Sequence, residues 1–159
     1  MNEKKCVFAG TFDPPTLGHK YVIESALAAF DEVIVAILQN PKKSPCFTIK
    51  ERKEMLALTV CNPRVRVVEF SGTVAELMKK EGATCYVRGL RNATDFDYET
   101  SDFYASRKLN KEMVAWYLPC PQELLHVSSS IVRNSLQFST PIDEYVTERV
   151  KEYIYKIKK

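Results

Sequence analysis

Short runs of β-branched and other apolar residues alternate along the chain with longer stretches in which apolar positions recur every three or four residues. The short runs predict strands near Lys5–Ala9, Glu32–Leu38, Val65–Phe70, Thr84–Val87 and Val114–Leu118. Between the first two, Val22, Ile23, Ala26, Leu27 and Phe30 share one helical face, which predicts a β-α-β unit with an apolar stripe laid on a sheet. Helix starts are marked by Thr48 with Glu51 and by Thr73 with Glu76, the capping-box spacing in which each side chain satisfies the other's free backbone N–H. Thr140 followed by Pro141 predicts the start of a last helix. Tyr145, Val146, Val150, Tyr153, Ile154 and Ile157 lie on one side of it, to pack on the sheet or on a neighbouring subunit.

Parallel strands need crossover helices, and those helices cover both faces of the sheet. The expected fold is therefore α/β: a Rossmann-like, doubly wound sheet of about five parallel strands with helices on both faces. In such folds ligands bind beyond the carboxyl ends of the strands. Chemistry is to be sought near Gly10, near Asn40, around Phe70–Gly72, near Arg88 and after Leu118. No linker, repeat or low-complexity stretch divides the chain, so residues 1–159 are expected to form one domain.

At 159 residues, roughly two-thirds of the unfolded surface can be buried, enough for a core without staples. A hydrophobic content of 45% with 27% charged residues excludes a disordered or fibrous chain. The net charge of +3, from 23 basic against 20 acidic residues, is too balanced to be a polyanion footprint, so nucleic acid is not an expected partner. Lys156, Lys158 and Lys159 read as the solvated face of a helix. Cys6, Cys46, Cys61, Cys85 and Cys120 are odd in number and form no C-x-x-C pair, which argues against a thiol-bound zinc site. Cys6 and Cys85 fall in strand-like runs and read as small buried hydrophobes of a reducing compartment. No charged-then-apolar leader and no apolar run of membrane-spanning length occur, so a cytoplasmic location without membrane contact is expected.

The first junction runs Gly10-Thr11-Phe12-Asp13-Pro14-Pro15-Thr16-Leu17-Gly18-His19 and opens a helix. A strand-loop-helix junction of this kind can admit phosphate close to the backbone, because the helix start offers free N–H groups and a partial positive charge. His19 stands at its mouth, either as part of that anion site or as a helix-start histidine bonded to nearby backbone. Neither G-x-G-x-x-G nor G-x-x-x-x-G-K-[ST] is present, so a phosphate site here follows another pattern. The second junction carries the Pro-flanked pair Lys42-Lys43, by itself readable as a solvated loop. The fourth strand runs into Arg88-Gly89-Leu90-Arg91 and then Asp95, Asp97 and Glu99, which read either as surface ion pairs or as a guanidinium fork for a phosphate monoester. Ser128-Ser129-Ser130 precede the next helix, as caps or as phosphate ligands. His126, just ahead of them, reads as structural or exposed.

Thr16-x-Gly18-His19 resembles the T/H-x-G-H signature of the nucleotidyltransferase superfamily that also contains class I aminoacyl-tRNA synthetases. Gly10–Pro14 ahead of it, and Arg88-Gly-Leu-Arg91 followed by Asp95-Phe-x-Tyr-Glu99, resemble the phosphopantetheine adenylyltransferase family. His126 to Arg133 is similar to the superfamily's serine signature, while Leu124 and Leu125 stand where the family often has bulkier residues. The resemblance implies adenylyl transfer from ATP to 4′-phosphopantetheine by direct displacement, giving dephospho-coenzyme A and pyrophosphate, with Mg²⁺ carried mainly by ATP and pyrophosphate. It implies that His19, Lys43 and Thr11 are catalytic. It places ATP against Gly10, Thr11, Phe12, His19, Gly89, Arg91, Glu99, Ser128, Ser129 and Ser130, and phosphopantetheine against Thr11, Lys43, Thr73, Val74 and Arg88. A homohexamer is also implied. Nicotinate mononucleotide adenylyltransferases share the opening, and Pro15 leans their way, while Arg88 to Glu99 and the short chain point from them. A non-catalytic nucleotide-binding regulatory module, one that binds RNA included, is the reading from another class.

Overall fold

The computed structural model describes residues 2–159. Among them five strands, β1 (Lys5–Gly10), β2 (Glu32–Leu38), β3 (Val65–Phe70), β4 (Cys85–Leu90) and β5 (Val114–Pro119), form one sheet in the order β3-β2-β1-β4-β5. Every adjacent pair is parallel. Helices α1 (Leu17–Leu27), α2 (Ile49–Thr59), α3 (Val74–Glu81) and α4 (Ala93–Arg107) follow the first four strands, and α5 (Ser129–Gln137) and α6 (Glu148–Ile157) close the chain after a short 3₁₀ turn. The expected doubly wound sheet is thus present.

Alternation along the strands decides which helix covers which face. Cys6, Phe8, Val33, Val35, Ile37 and Val87 point to one side and pack with Val22, Ile23 and Ala26 of α1 and Leu56 of α2. Val7, Ala9, Ile34, Ala36 and Tyr86 point to the other, against Ala75, Leu77 and Met78 of α3 and Phe103 of α4. Cys6 is fully buried, and burial pushes its thiol up to about 12 and that of Cys85 to about 11, so both stay protonated and serve as packing. A third cluster joins Phe47, Met55 of α2, Val132 of α5, Ile142, Val146, and Val150 and Ile154 of α6.

That third cluster corrects the expected start of the last helix. Thr140-Pro141 opens no helix; α6 begins at Glu148 behind Thr147, whose hydroxyl accepts from Val150 N–H. Ile142 and Val146 have helical spacing but are buried from a turn, and the Tyr145 carbonyl, which a helix would need, accepts instead from Leu17 N–H at 2.9 Å. A contact with α1 therefore overrides the local pattern. The two capping boxes at Thr48–Glu51 and Thr73–Glu76 form as expected. No helix among the described residues is long and apolar enough to cross a membrane.

The strand order reverses between β1 and β4. β1 pairs with β2 at all of its positions from Lys5↔Glu32 to Gly10↔Ile37, but with β4 only at Cys6↔Cys85 and Val7↔Tyr86. Beyond Val7 the two central strands therefore part, and their carboxyl ends open a crevice at the topological switch point.

Candidate active site

Thr16 caps α1, and His19 takes the third helical position where a glutamate or glutamine usually completes a capping box. Thr16 N–H donates to His19 Nδ1 at 2.9 Å, which makes Nδ1 an acceptor and puts the ring proton on Nε2. The bond to backbone that one reading of His19 expected is present at Nδ1, and the residue also lines the cleft described below. Phe12 packs edge-on against the imidazole, with centroids 4.8 Å apart, and against Phe8 at 5.3 Å. Phe12 takes a positive φ of 51°, a strained backbone that burial of its ring offsets.

The end of β1 and the loop from Gly10 to Thr16 are held by side chains from far along the chain. Arg88 of β4 donates from Nη1 to the Ala9 carbonyl. Arg52 of α2 donates to the Thr11 carbonyl at 2.9 Å and to the Phe47 carbonyl at 3.0 Å. Arg133 of α5 donates to the Asp13 carbonyl at 2.7 Å, and Ser129 Oγ to that of Pro14 at 2.7 Å. Buried Asp13 accepts from Cys46 and Phe47 N–H, both at 2.8 Å. Asp13, Arg52 and Arg133 were not singled out as site residues from the sequence. A mid-helix arginine whose neighbours Met55 and Leu56 are apolar was the available signal for Arg52.

Between the parted strands lies a cleft of about 320 Å³. Gly10, Thr11 and Phe12 line it from the end of β1, His19 from α1, Arg88, Gly89 and Arg91 from the end of β4, Glu99 from α4, and Ser128 and Ser129 from the start of α5. Gly89 is required sterically, since a Cβ there would stand 2.9 Å from Val22 Cγ2 on α1. Arg88 Nη2 donates to Glu99 Oε1 at 2.7 Å, and its Nε is buried without a hydrogen-bond partner among the described residues, a donor still to be satisfied. Arg91 pairs with Asp95 at 3.1 Å. Ser128 caps α5, accepting from Ile131 N–H at 3.2 Å. Tyr21 and Cys120, not anticipated, also line the cleft. Among the described residues no group of three or more His, Cys, Asp or Glu gathers as a metal site.

Four predicted site residues lie outside this lining. Lys43 is exposed on the loop before α2. Thr73 is occupied as the cap of α3, and Val74 packs against the sheet core. Ser130 is exposed and accepts from Arg133 at 3.1 Å. His126 is exposed too, as expected, with its ring 5.9 Å from that of Tyr145.

Burial, and then the nearby charges of Arg88 and Arg91, lower the His19 pKa from 6.5 to about 4. The folded protein therefore keeps the ring neutral where the unfolded chain takes up a proton. Between about pH 6.5 and 4 the unfolded state binds more protons, so His19 makes stability fall as pH drops through that window. We expect thermal unfolding of the ligand-free protein to lose more stability from pH 7 to 5 than that of His19→Gln. Equal losses would show an ordinary histidine.

The chain matches the cytidylyltransferase-like family over residues 7–135. It is 38% identical over 156 residues to the phosphopantetheine adenylyltransferase of Methylobacillus flagellatus, covering 97% of each chain. It is 39% identical over 157 residues to that of Symbiobacterium thermophilum, covering 96% of this chain and 97% of the other. Among solved structures, Plasmodium falciparum nicotinic acid mononucleotide adenylyltransferase complexed with NaAD superimposes with a TM-score of 0.75 at 17% identity, covering 99% of this chain and 97% of that one. At that identity the superposition speaks for the fold alone.

Proposed function

This chain belongs to the phosphopantetheine adenylyltransferases within the cytidylyltransferase-like family, and from that premise we propose that it transfers the adenylyl group of ATP to 4′-phosphopantetheine. The products are dephospho-coenzyme A and pyrophosphate. The observation that carries the reading is the cleft at the β1/β4 switch point, where a neutral His19, the arginines Arg88 and Arg91 and the start of α5 converge. Such a cleft suits two phosphorylated substrates.

An oxygen of the 4′-phosphate attacks the α-phosphorus of ATP, a P–O bond forms, and the bond to the β-phosphate breaks with its electron pair leaving on pyrophosphate. The nucleophile needs no strong base, because a phosphate monoester has its second pKa near about 6 and is largely dianionic at neutral pH. The work left to the protein is positioning and charge stabilisation. His19 donates from Nε2 to an α-phosphate oxygen, and Thr11 and Lys43 hold the attacking phosphate with Arg88. Arg91, Ser128, Ser129, Ser130 and the N–H groups opening α5 hold the β- and γ-phosphates, while Gly10, Phe12, Gly89 and Glu99 border the nucleotide. Thr73 and Val74 line the pantetheine arm. The neutral ring, with Nδ1 already accepting from Thr16 N–H, offers Nε2–H as a fixed donor while negative charge builds up on the α-phosphate.

ATP would be bound as its magnesium complex, the metal being carried by the phosphates, since no group of three or more His, Cys, Asp or Glu gathers among the described residues to hold it. The same reading has one nucleotidyltransferase domain over residues 1–159, assembled as a homohexamer in the cytoplasm.

Purified protein with ATP and Mg²⁺ is expected to release pyrophosphate with 4′-phosphopantetheine and to make dephospho-coenzyme A by mass. With nicotinate mononucleotide it is expected to stay silent. Turnover with the mononucleotide alone would transfer the assignment to the activity that the Plasmodium structure's name carries. ATP binding without turnover in either tube would make the chain a regulatory module.

A further inference from the structure

Asp13 is only 5% exposed, and a carboxylate so buried is costly unless its oxygens are hydrogen-bonded. Both are, and by a distant segment: Oδ2 accepts from Cys46 N–H and Oδ1 from Phe47 N–H, each at 2.8 Å. The carbonyl of the same Phe47 accepts from Arg52, whose guanidinium also holds the Thr11 carbonyl. The peptide groups of Phe47 are thus gripped on both sides, and both grips lead to the loop that lines the cleft. Phe47 itself is buried in the third cluster.

What this anchors is the loop of exposed residues from Pro41 to Pro45. Its other stem is tied by Gln39 N–H to the Phe70 carbonyl at 3.2 Å, and inside it Lys43 N–H donates to the Asn40 carbonyl at 3.1 Å. Lys43 lies three positions before the first anchored residue, Cys46, a span of at most roughly 10 Å of chain. Its reach toward the cleft is therefore set by where Cys46 and Phe47 are held. We infer that Asp13 is a positioning residue of the transfer reaction, its carboxylate fixing the stem of the lysine loop so that Lys43 meets the phosphates in the cleft. This rests on the reading of Lys43 given above.

The test is a double-mutant cycle in the whole enzyme: wild type, Asp13→Asn, Lys43→Ala and the double variant, each assayed for kcat, both KM values and thermal midpoint. Asparagine keeps the shape but sets an NH₂ against one of the two N–H donors, so one stem bond is lost. A misplacement on the order of 1 Å can cost up to about 10²-fold, and we expect Asp13→Asn to lower kcat about tenfold or more with KM for ATP held within about twofold. In the Lys43→Ala background the same substitution should cost less than about twofold, because the residue it acts through is gone. If Asp13→Asn does not fold, Cys46→Pro, which deletes one N–H and leaves the carboxylate intact, takes its place in the cycle. A kcat loss of the same factor with and without Lys43 would overturn the inference while leaving Lys43 its role. An unchanged kcat in Asp13→Asn would overturn it as well. An unchanged kcat in Lys43→Ala would remove the lysine reading and the inference together.

Discussion

The His19→Ala enzyme is expected to turn over about 10²-fold or more slowly than wild type while binding ATP nearly as well, because the lost donor acts mainly as charge develops on the α-phosphate. The geometry makes the test sharper than an alanine substitution alone. His19 has two jobs, accepting from Thr16 N–H at Nδ1 and offering Nε2–H to the cleft. Alanine removes both, and the freed N–H at the helix cap costs about 1 kcal/mol of stability in addition to the loss of rate. Glutamine at this position is the ordinary capping-box residue, so His19→Gln should restore the cap and with it the thermal midpoint. Its amide does not place a donor where Nε2 stands, so kcat should stay at least about tenfold down. A glutamine variant as fast as wild type would show that any amide donor suffices, and an alanine variant at full speed would remove His19 from the chemistry.

Arg88→Ala should affect both stability and substrate binding, and the structure separates the two. The guanidinium joins β1 to α4, holding the Ala9 carbonyl and Glu99 at once. Without it Glu99, whose side chain is only 10% exposed, keeps a carboxylate with no partner from β4. Arg88 retains some exposure to the cleft, so we expect a loss of roughly 2–3 kcal/mol, below the cost of breaking a fully buried pair. Arg88→Ala with Glu99→Gln should regain part of that stability by removing the stranded charge. It should not regain binding of 4′-phosphopantetheine, whose KM should rise about tenfold or more in either variant, a charge-assisted bond to phosphate being worth about 1.5–3 kcal/mol. Recovery of KM in the double variant would mean that Glu99, rather than the phosphate, is the partner that matters to Arg88.

Much of the fold was legible because its marks are local. β2 and β3 have the predicted bounds, and β1 and β5 run one residue further. β4 extends to Leu90, through an arginine and a glycine that no strand propensity favours, because its pairing with β5 continues to Leu90↔Pro119. Thr48 and Thr73 announce their helices with partners three residues away, within the reach of one turn. The junction from Gly10 to His19 was legible for the same reason, as consecutive residues placed where a strand must stop and a helix must start.

Periodicity, caps and the junction motif thus determined the five strands, most of the helices and the residues to expect at the strand ends, since each is written in neighbours along the chain. The tertiary structure alone decided the rest. It parted β1 from β4 after Val7, gave Tyr145's carbonyl to Leu17, and brought Arg88 onto a carbonyl of β1 and Arg52 and Arg133 onto carbonyls of the loop that follows it. It also left His19 neutral, through burial beside two arginines of a different strand end. Those partners stand tens of residues apart, at spacings no local period records, and a pKa depends on the charges that surround a group in space.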